Sequence, residues 1–307
     1  MKKNTSNQKI QVVIIIILSL LLAACSFNKQ VLGPKKLSPT VKEFTIKTFT
    51  DTFAVHLPDS SNQIIFTKNG GDIIDLGFSI ENVFFKDTNG NILNGWFLKP
   101  KNQTPKITLL HLHGSGKFLG DHYKHIYPLA KNGFQVFMFD YSGFGLTQGE
   151  ASRENIITDA VSALEYLKTR EDVMGTRLVI YGQSLGGHYA TVVGPLVQNN
   201  IDGLVVECAI TSLKEIAGYR TPVIGNILMK QGYHAEKVIR DFHKPVLVIH
   251  SMEDKDAPFY MGKKIFDAAN RPKEFYEIKK PHCCGPIYNA NEISEKIKNM
   301  LKVNSKE

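Results

Sequence analysis

Ser184 stands in Gly182-Gln183-Ser184-Leu185-Gly186, directly after an apolar run and directly before a helix-like stretch. The run Arg177-Leu178-Val179-Ile180-Tyr181 reads as a buried parallel strand. From Leu185 to Val197 the chain is rich in Gly, Ala, Val and Leu, the composition of a helix packed closely on a sheet. Only a sharp turn fits between the two. On such a turn a serine hydroxyl stands exposed, and the next backbone N–H points at a developing oxyanion. The turn is crowded, and Gly182 and Gly186 supply the small residues it needs. G-x-S-x-G alone arises by chance; its place between strand and helix gives it weight.

The rest of the folded part repeats that alternation. Val83-Phe84-Phe85 and residues 92–98 flank the turn-rich Asp87-Thr88-Asn89-Gly90, which predicts an antiparallel hairpin. Strands are then expected at 107–112, 135–139, 178–181, 204–207, 246–249 and 275–278. Helices are expected at 118–132, 151–169, after Ser184, at 260–269 and at 293–301. Alternating strands and helices imply an α/β fold, a mainly parallel sheet with helices on both faces. In such sheets ligands bind at the carboxyl ends of the strands. No internal repeat or low-complexity linker divides the chain, so residues 45–307 read as one domain.

A nucleophilic serine needs a base, and the base needs an orienting carboxylate. The base candidate is His282, which follows the last strand in Lys279-Lys280-Pro281-His282. The carboxylate candidates, Asp254 and Asp256, follow the strand that ends near His250. The chain order serine, aspartate, histidine is the order of the nucleophile-elbow hydrolases. The oxyanion hole needs a second N–H besides that of Leu185. Leu112-His113-Gly114-Ser115-Gly116 follows a strand, and Ser115 is the donor expected there. His111 and His113, with His122 and His125 downstream, resemble the opening of the metallo-β-lactamase ligand set. Ser115 and Gly116 stand where that set needs aspartate and histidine, so no metal or cofactor is expected in the chemistry.

The amino terminus speaks to location. Lys2, Lys3 and Lys9 precede an apolar run from Val12 to Leu22, which ends in Leu22-Ala23-Ala24-Cys25. An apolar core this short suits a secretory signal; a spanning helix needs about 20 apolar residues. Cysteine directly after small residues resembles the lipobox of bacterial lipoproteins. The resemblance implies a signal peptide at 1–24, a lipid on Cys25, and a tether at 25–44 that holds the domain in the cell envelope. Ser26 is not the aspartate that retains some lipoproteins at the inner membrane, so the expected site is the outer membrane where the cell has one. Without the lysines of the leader, the formal charge falls from +8 to +5. With no Lys/Arg block and no nucleic-acid motif, a nucleic-acid partner is not expected.

At a larger scale the folded part resembles the α/β-hydrolase superfamily, nearest its small-cap lipase and depalmitoylase-like serine hydrolases. The stretch from Asp87 to Trp96 resembles their first hairpin, and His113-Gly114 their oxyanion loop. Asp140-Tyr141-Ser142-Gly143-Phe144-Gly145 resembles their D-Y-R-G-x-G turn, and Gly182 to Gly186 their elbow. Their H-G-x-x-D pattern maps onto His250-Ser251-Met252-Glu253-Asp254, which selects Asp254 over Asp256. The resemblance implies hydrolysis of a carboxylic ester or thioester, with a lipid or acylated substrate, through an acyl-enzyme. The competing readings are a peptidase of the same fold and a non-catalytic ligand-binding lipoprotein. Departures are Ser251 for glycine, Ser142 for arginine, and Pro281-His282-Cys283-Cys284-Gly285 in place of the common histidine loop. A small cap is expected at about 212–244, with Val223, Ile224, Ile227, Leu228 and Met229 lining an acyl pocket or packing on the sheet. Cys208, Cys283 and Cys284 remain beside Cys25, an odd set outside the cytoplasm.

Overall fold

The structure is a computed structural model that describes residues 31–58, 62–68 and 71–302. Strands β1 (Glu43–Lys47), β2 (Thr52–His56), β3 (Ile65–Lys68) and β4 (Asp72–Ile73) form a small antiparallel sheet in that order. The main sheet holds β5 (Phe78–Lys86), β6 (Ile92–Pro100), β7 (Ile107–Leu112), β8 (Gln135–Phe139), β9 (Arg177–Gln183), β10 (Gly203–Glu207), β11 (Val246–Ser251) and β12 (Lys273–Ile278). Its order is β12-β11-β10-β9-β7-β8-β6-β5. From β7 to β12 every pairing is parallel, and β5 and β6 join as the antiparallel hairpin expected from sequence. Strands β7, β8, β10 and β11 are buried along their whole length, because helices cover both faces.

Those helices are α1 (Arg153–Lys168), α2 (Leu185–Val197), α3 (Leu213–Arg220), α4 (Pro222–Leu228), α5 (Phe259–Ala268) and α6 (Gly285–Leu301). Ser152 caps α1 by accepting the Asn155 N–H at 3.0 Å, and Ser212 caps α3 by accepting the Glu215 N–H at 3.0 Å. The strand order sets the position of the site. The chain steps from β7 to β8 on one side, then returns across β7 to β9 on the other. The crevice at such a reversal is where open α/β sheets bind ligands. The loops after β7 and β9 carry Gly114-Ser115 and Ser184.

Three expectations change. Residues 118–132 are not one helix but a turn at Leu119–His122, a 3-10 turn at Tyr123–His125 and a short helix at Tyr127–Lys131. Pro128 enters the last piece in its first turn, where its missing N–H is not needed. The final helix begins at Gly285 rather than Ile293 and kinks at Asn289. The stretch read as tether is pinned from Val31 onward, and β1 starts within it. Gly116 N–H donates to Leu32 O at 2.7 Å, and Lys35 N–H to Lys117 O at 2.9 Å. Gly145 N–H donates to Lys35 O at 2.8 Å. The chain thus approaches the fold along the loop that carries Ser115. The leader 1–24 and Cys25 lie outside the described residues. Among the described residues, no helix is long and apolar enough to cross a membrane.

Candidate active site

Ser184 lies between β9 and α2 with φ 55° and ψ −116°. That backbone is unfavourable for a residue with a Cβ, and a surrounding structure must hold it there. Ser184 N–H donates to Glu207 O at 2.9 Å, and Ser184 O accepts the His188 N–H at 3.0 Å. The glycines leave room for the turn. A Cβ on Gly186 would sit 1.9 Å from Leu112 O and 2.6 Å from His113 O. One on Gly182 would sit 2.4 Å from Gly186 O. These neighbours are backbone and cannot swing aside. A Cβ on Gly114 would meet Ser184 Cβ at 3.4 Å, a tight but ordinary contact. Gly186→Ala is therefore expected to cost about 3 kcal/mol or more, at the top of the overpacking range. Gly114→Ala should stay close to wild type in a thermal unfolding comparison. Equal melting temperatures for Gly186→Ala and wild type would refute this account of the elbow.

Asp254 and His282, the candidate carboxylate and base, lie side by side. His282 Nδ1 and Asp254 Oδ2 are 2.6 Å apart. The Asp254 side chain has no exposed surface, whereas that of His282 keeps 19% and faces the cleft. Asp254 Oδ1 accepts the Asp256 N–H and the Ala257 N–H, each at 2.8 Å. Burial pushes the Asp254 carboxyl up, but the His282 bond and charge and the Ala257 N–H hold it below the usual range. Asp256 is exposed and also lines the cleft: its N–H goes to Asp254, its carbonyl accepts from Arg220 at 3.0 Å, and its Oδ1 lies 3.7 Å from Arg220 Nη2.

A cleft of about 290 Å³ is lined by Gly114, Ser115, Ser184 and His282, with Arg220 and Cys283 at its wall. Leu185 is the first residue of α2, so its N–H is one of the unpaired donors of a helix start. Arg220 lines the cleft, and Lys117, just past Ser115, does not. None of the five cap residues lines it either. Met229 is buried in the core, while Val223, Ile224 and Ile227 point outward.

The other histidines of this region have different duties. His111 Nε2 pairs with Gln183 Oε1 at 2.9 Å, and His113 Nδ1–H donates to Gly114 O at 2.8 Å. His122 Nε2–H donates to Gly116 O at 2.9 Å, and His125 Nδ1–H to Cys283 O at 2.8 Å. Burial holds all four below the ordinary imidazole value, His111 and His125 at about 3. They are neutral rings that shape loops. His282 alone among the cleft histidines is pushed up: burial opposes the charge, but Asp254 and the Cys208 thiol beside it prevail. The base form of His282 is therefore reached only at a pH above the usual 6.5 of imidazole. In chelated buffer, kcat/KM is expected to climb with pH along a limb above that value. Cys208→Ser should bring the limb down. A limb that ignores Cys208→Ser would show that the thiol leaves the base unperturbed.

Sequence reasoning gave no role to three residues: Glu207 and Ser251, which hold the histidine loop, and Ser142, which holds the turn after β8. Glu207, fully buried at the end of β10, accepts from Tyr181 Oη at 2.8 Å, Gln183 Nε2 at 2.7 Å and Gly285 N–H at 2.8 Å. It ties the start of α6, just past His282, to the sheet. Ser251, the departure from glycine, donates through Oγ to Lys280 O and accepts the Lys280 N–H at 3.0 Å. It joins the acid loop to the histidine loop. Ser142, the departure from arginine, binds buried Asp159 through its N–H at 2.6 Å and its Oγ at 3.0 Å. Asp159 lies on α1, the helix that follows this turn, and a carboxylate on a helix is a signal many positions share.

A family model described as Serine aminopeptidase, S33, matches residues 103–220. The uncharacterized protein YfhR of Escherichia coli K12 is 32% identical over 207 residues, covering 66% of this chain and 72% of YfhR. Protein bem46 of Schizosaccharomyces pombe is 29% identical, covering 52% of this chain and 56% of its own. Among solved structures, the Pyrococcus furiosus esterase Pf2001 superposes with TM-score 0.63 at 19% identity, covering 77% of this chain and 96% of its own. Est1E of Butyrivibrio proteoclasticus gives 0.60 at 17% identity, covering 72% and 99%. Likenesses at such low identity speak to the fold alone.

Proposed function

Because this chain belongs to the α/β-hydrolase superfamily, in the family of Escherichia coli YfhR, we propose that it is a serine hydrolase cleaving carboxylic esters or thioesters. The observation that carries the reading is the 2.6 Å His282–Asp254 pair, set in the same cleft as a serine held on a strained elbow. In this reading His282 Nε2 takes the Ser184 Oγ proton as Oγ attacks the acyl carbonyl carbon. Leu185 N–H and Ser115 N–H hold the oxyanion. The tetrahedral intermediate collapses, and the leaving oxygen or sulfur takes the proton back from His282. Water, deprotonated by the same ring, then releases the acid and restores Ser184. A fluorophosphonate probe is expected to label Ser184, located by peptide mapping. A label on any other residue, or none, would sink the assignment.

A lipid or acylated substrate is favoured by the exposed apolar side chains that follow Arg220 in the chain. Arg220 lines the wall, and the helix after it exposes Val223, Ile224 and Ile227. Those side chains suit an acyl chain more than a water-soluble peptide. The peptidase reading draws on the family model's description and on nothing in the cleft.

The cell-envelope reading is proposed from the leader and Cys25. If Cys25 carries a lipid, the pinned segment at residues 31–37 would hold the Ser115 loop close to the membrane. Cys25→Ala is expected to abolish labelling by a palmitate analogue and to shift the protein out of the membrane fraction. Undiminished labelling of Cys25→Ala would count against a lipid at that position.

A further inference from the structure

The departure of the histidine loop from its usual form puts thiols where they can act together. Cys208 follows β10 with φ 46°, and Cys283 follows His282 with φ 53°. Both are left-handed conformations that residues with a Cβ rarely adopt. They turn the two thiols toward each other. Cys208 Sγ, Cys283 Sγ and a ring nitrogen of His282 all lie within 4.8 Å of one another. The three cysteines of the described residues are free, and these two are buried. His282 and Cys283 line the cleft, so a small solute reaches them from solvent.

We propose that Cys208, Cys283 and His282 form a binding site for a thiophilic divalent cation of the Zn2+ class, which switches the enzyme off by occupying its base. Two sulfurs and one imidazole make a ligand set that zinc takes readily. Binding needs both thiols ionised, so two protons leave to solvent as the two metal–sulfur bonds form. Asp254 lies against Cys208 and adds negative charge to the site. Whichever ring nitrogen takes the cation, His282 loses either its bond to Asp254 or its access to Ser184. The site therefore competes with catalysis, and that consequence rests on the role of His282 given above. The binding itself does not.

The probe is Co2+, added without oxygen to the soluble protein reduced with a phosphine. Tetrahedral Co2+ on thiolates shows visible bands and sulfur-to-metal charge transfer, and Zn2+ should bleach both. Cys208→Ser, Cys283→Ser and His282→Ala are each expected to weaken binding about 100-fold or more, since even groups outside the ligand sphere change affinity about 10–100-fold. Cys284→Ser should bind as wild type. In the wild type, Zn2+ should slow alkylation of Cys283, a readout independent of any variant's folding. No thiolate charge transfer, or a signal that survives Cys208→Ser with Cys283→Ser, would overturn the site. Binding with full signal but no loss of ester turnover, reversible by chelator, would leave the cation site standing and reject His282 as the base.

Discussion

Ser184→Ala is expected to lower kcat for p-nitrophenyl esters by about 10⁶, as loss of the nucleophile does in a serine protease. That is about 8 kcal/mol of barrier. The size follows from the division of labour in the cleft. In the proposed mechanism, no acyl-enzyme forms without Oγ, and His282 has nothing to activate but water. What survives is binding and the N–H groups of Leu185 and Ser115, worth about 10³–10⁴ over the uncatalysed rate. The variant should fold normally. The elbow is held by the Ser184 backbone bonds to Glu207 and His188 and by the room at Gly182 and Gly186, none of which needs the hydroxyl. Turnover above about a hundredth of wild type, in protein free of contaminating esterase, would remove Ser184 from the mechanism.

The elbow was legible because its restriction is local. Three consecutive demands, a buried strand, small residues and a tightly packed helix, leave their mark within twenty positions of chain around Ser184. The meeting of Asp254 and His282 was legible for a related reason: each follows a strand, and the sheet brings the strand ends together. What the sequence hid is long-range. Glu207 looks like any residue closing a strand, and its bonds reach Tyr181, Gln183 and Gly285 on two other elements. Cys208 and Cys283 are far apart in the chain, and only the parallel register of β10 and β11 and the turn after β12 bring their thiols together. The small sheet β1–β4 was missed because its strands are only two to five residues long, too short for apolar positions such as Phe44, Ile46, Phe53 and Val55 to establish a period. Residues 31–42 read as tether because their order comes from backbone bonds to Gly116, Lys117 and Gly145, and such bonds leave no mark in side-chain pattern.

Asp254→Asn should lower kcat by about 10⁴, in line with the same change in a serine protease triad. The carboxylate at 2.6 Å from Nδ1 demands a proton on that nitrogen and leaves Nε2 free to accept from Ser184. An amide at the same place can turn its NH₂ toward Nδ1. The ring then carries its proton on Nε2, facing the hydroxyl it should deprotonate. Charge is lost as well: the buried carboxylate no longer offsets the imidazolium that forms at the transition state. The effect should fade at high pH, where hydroxide can replace the missing base. Asp256→Asn is the informative partner. Asp256 offers Asp254 its backbone N–H, and its side chain is exposed near Arg220 at 3.7 Å. Its amide variant is expected to stay within a few-fold of wild type, as surface ion pairs contribute little. Reversal of the two, with Asp256→Asn the damaging change, would move the orienting carboxylate two residues along the loop and break the correspondence with the H-G-x-x-D pattern. Equal and small effects would mean that His282 is oriented by something other than a carboxylate, and Cys208, already against the ring, would be the group to replace next.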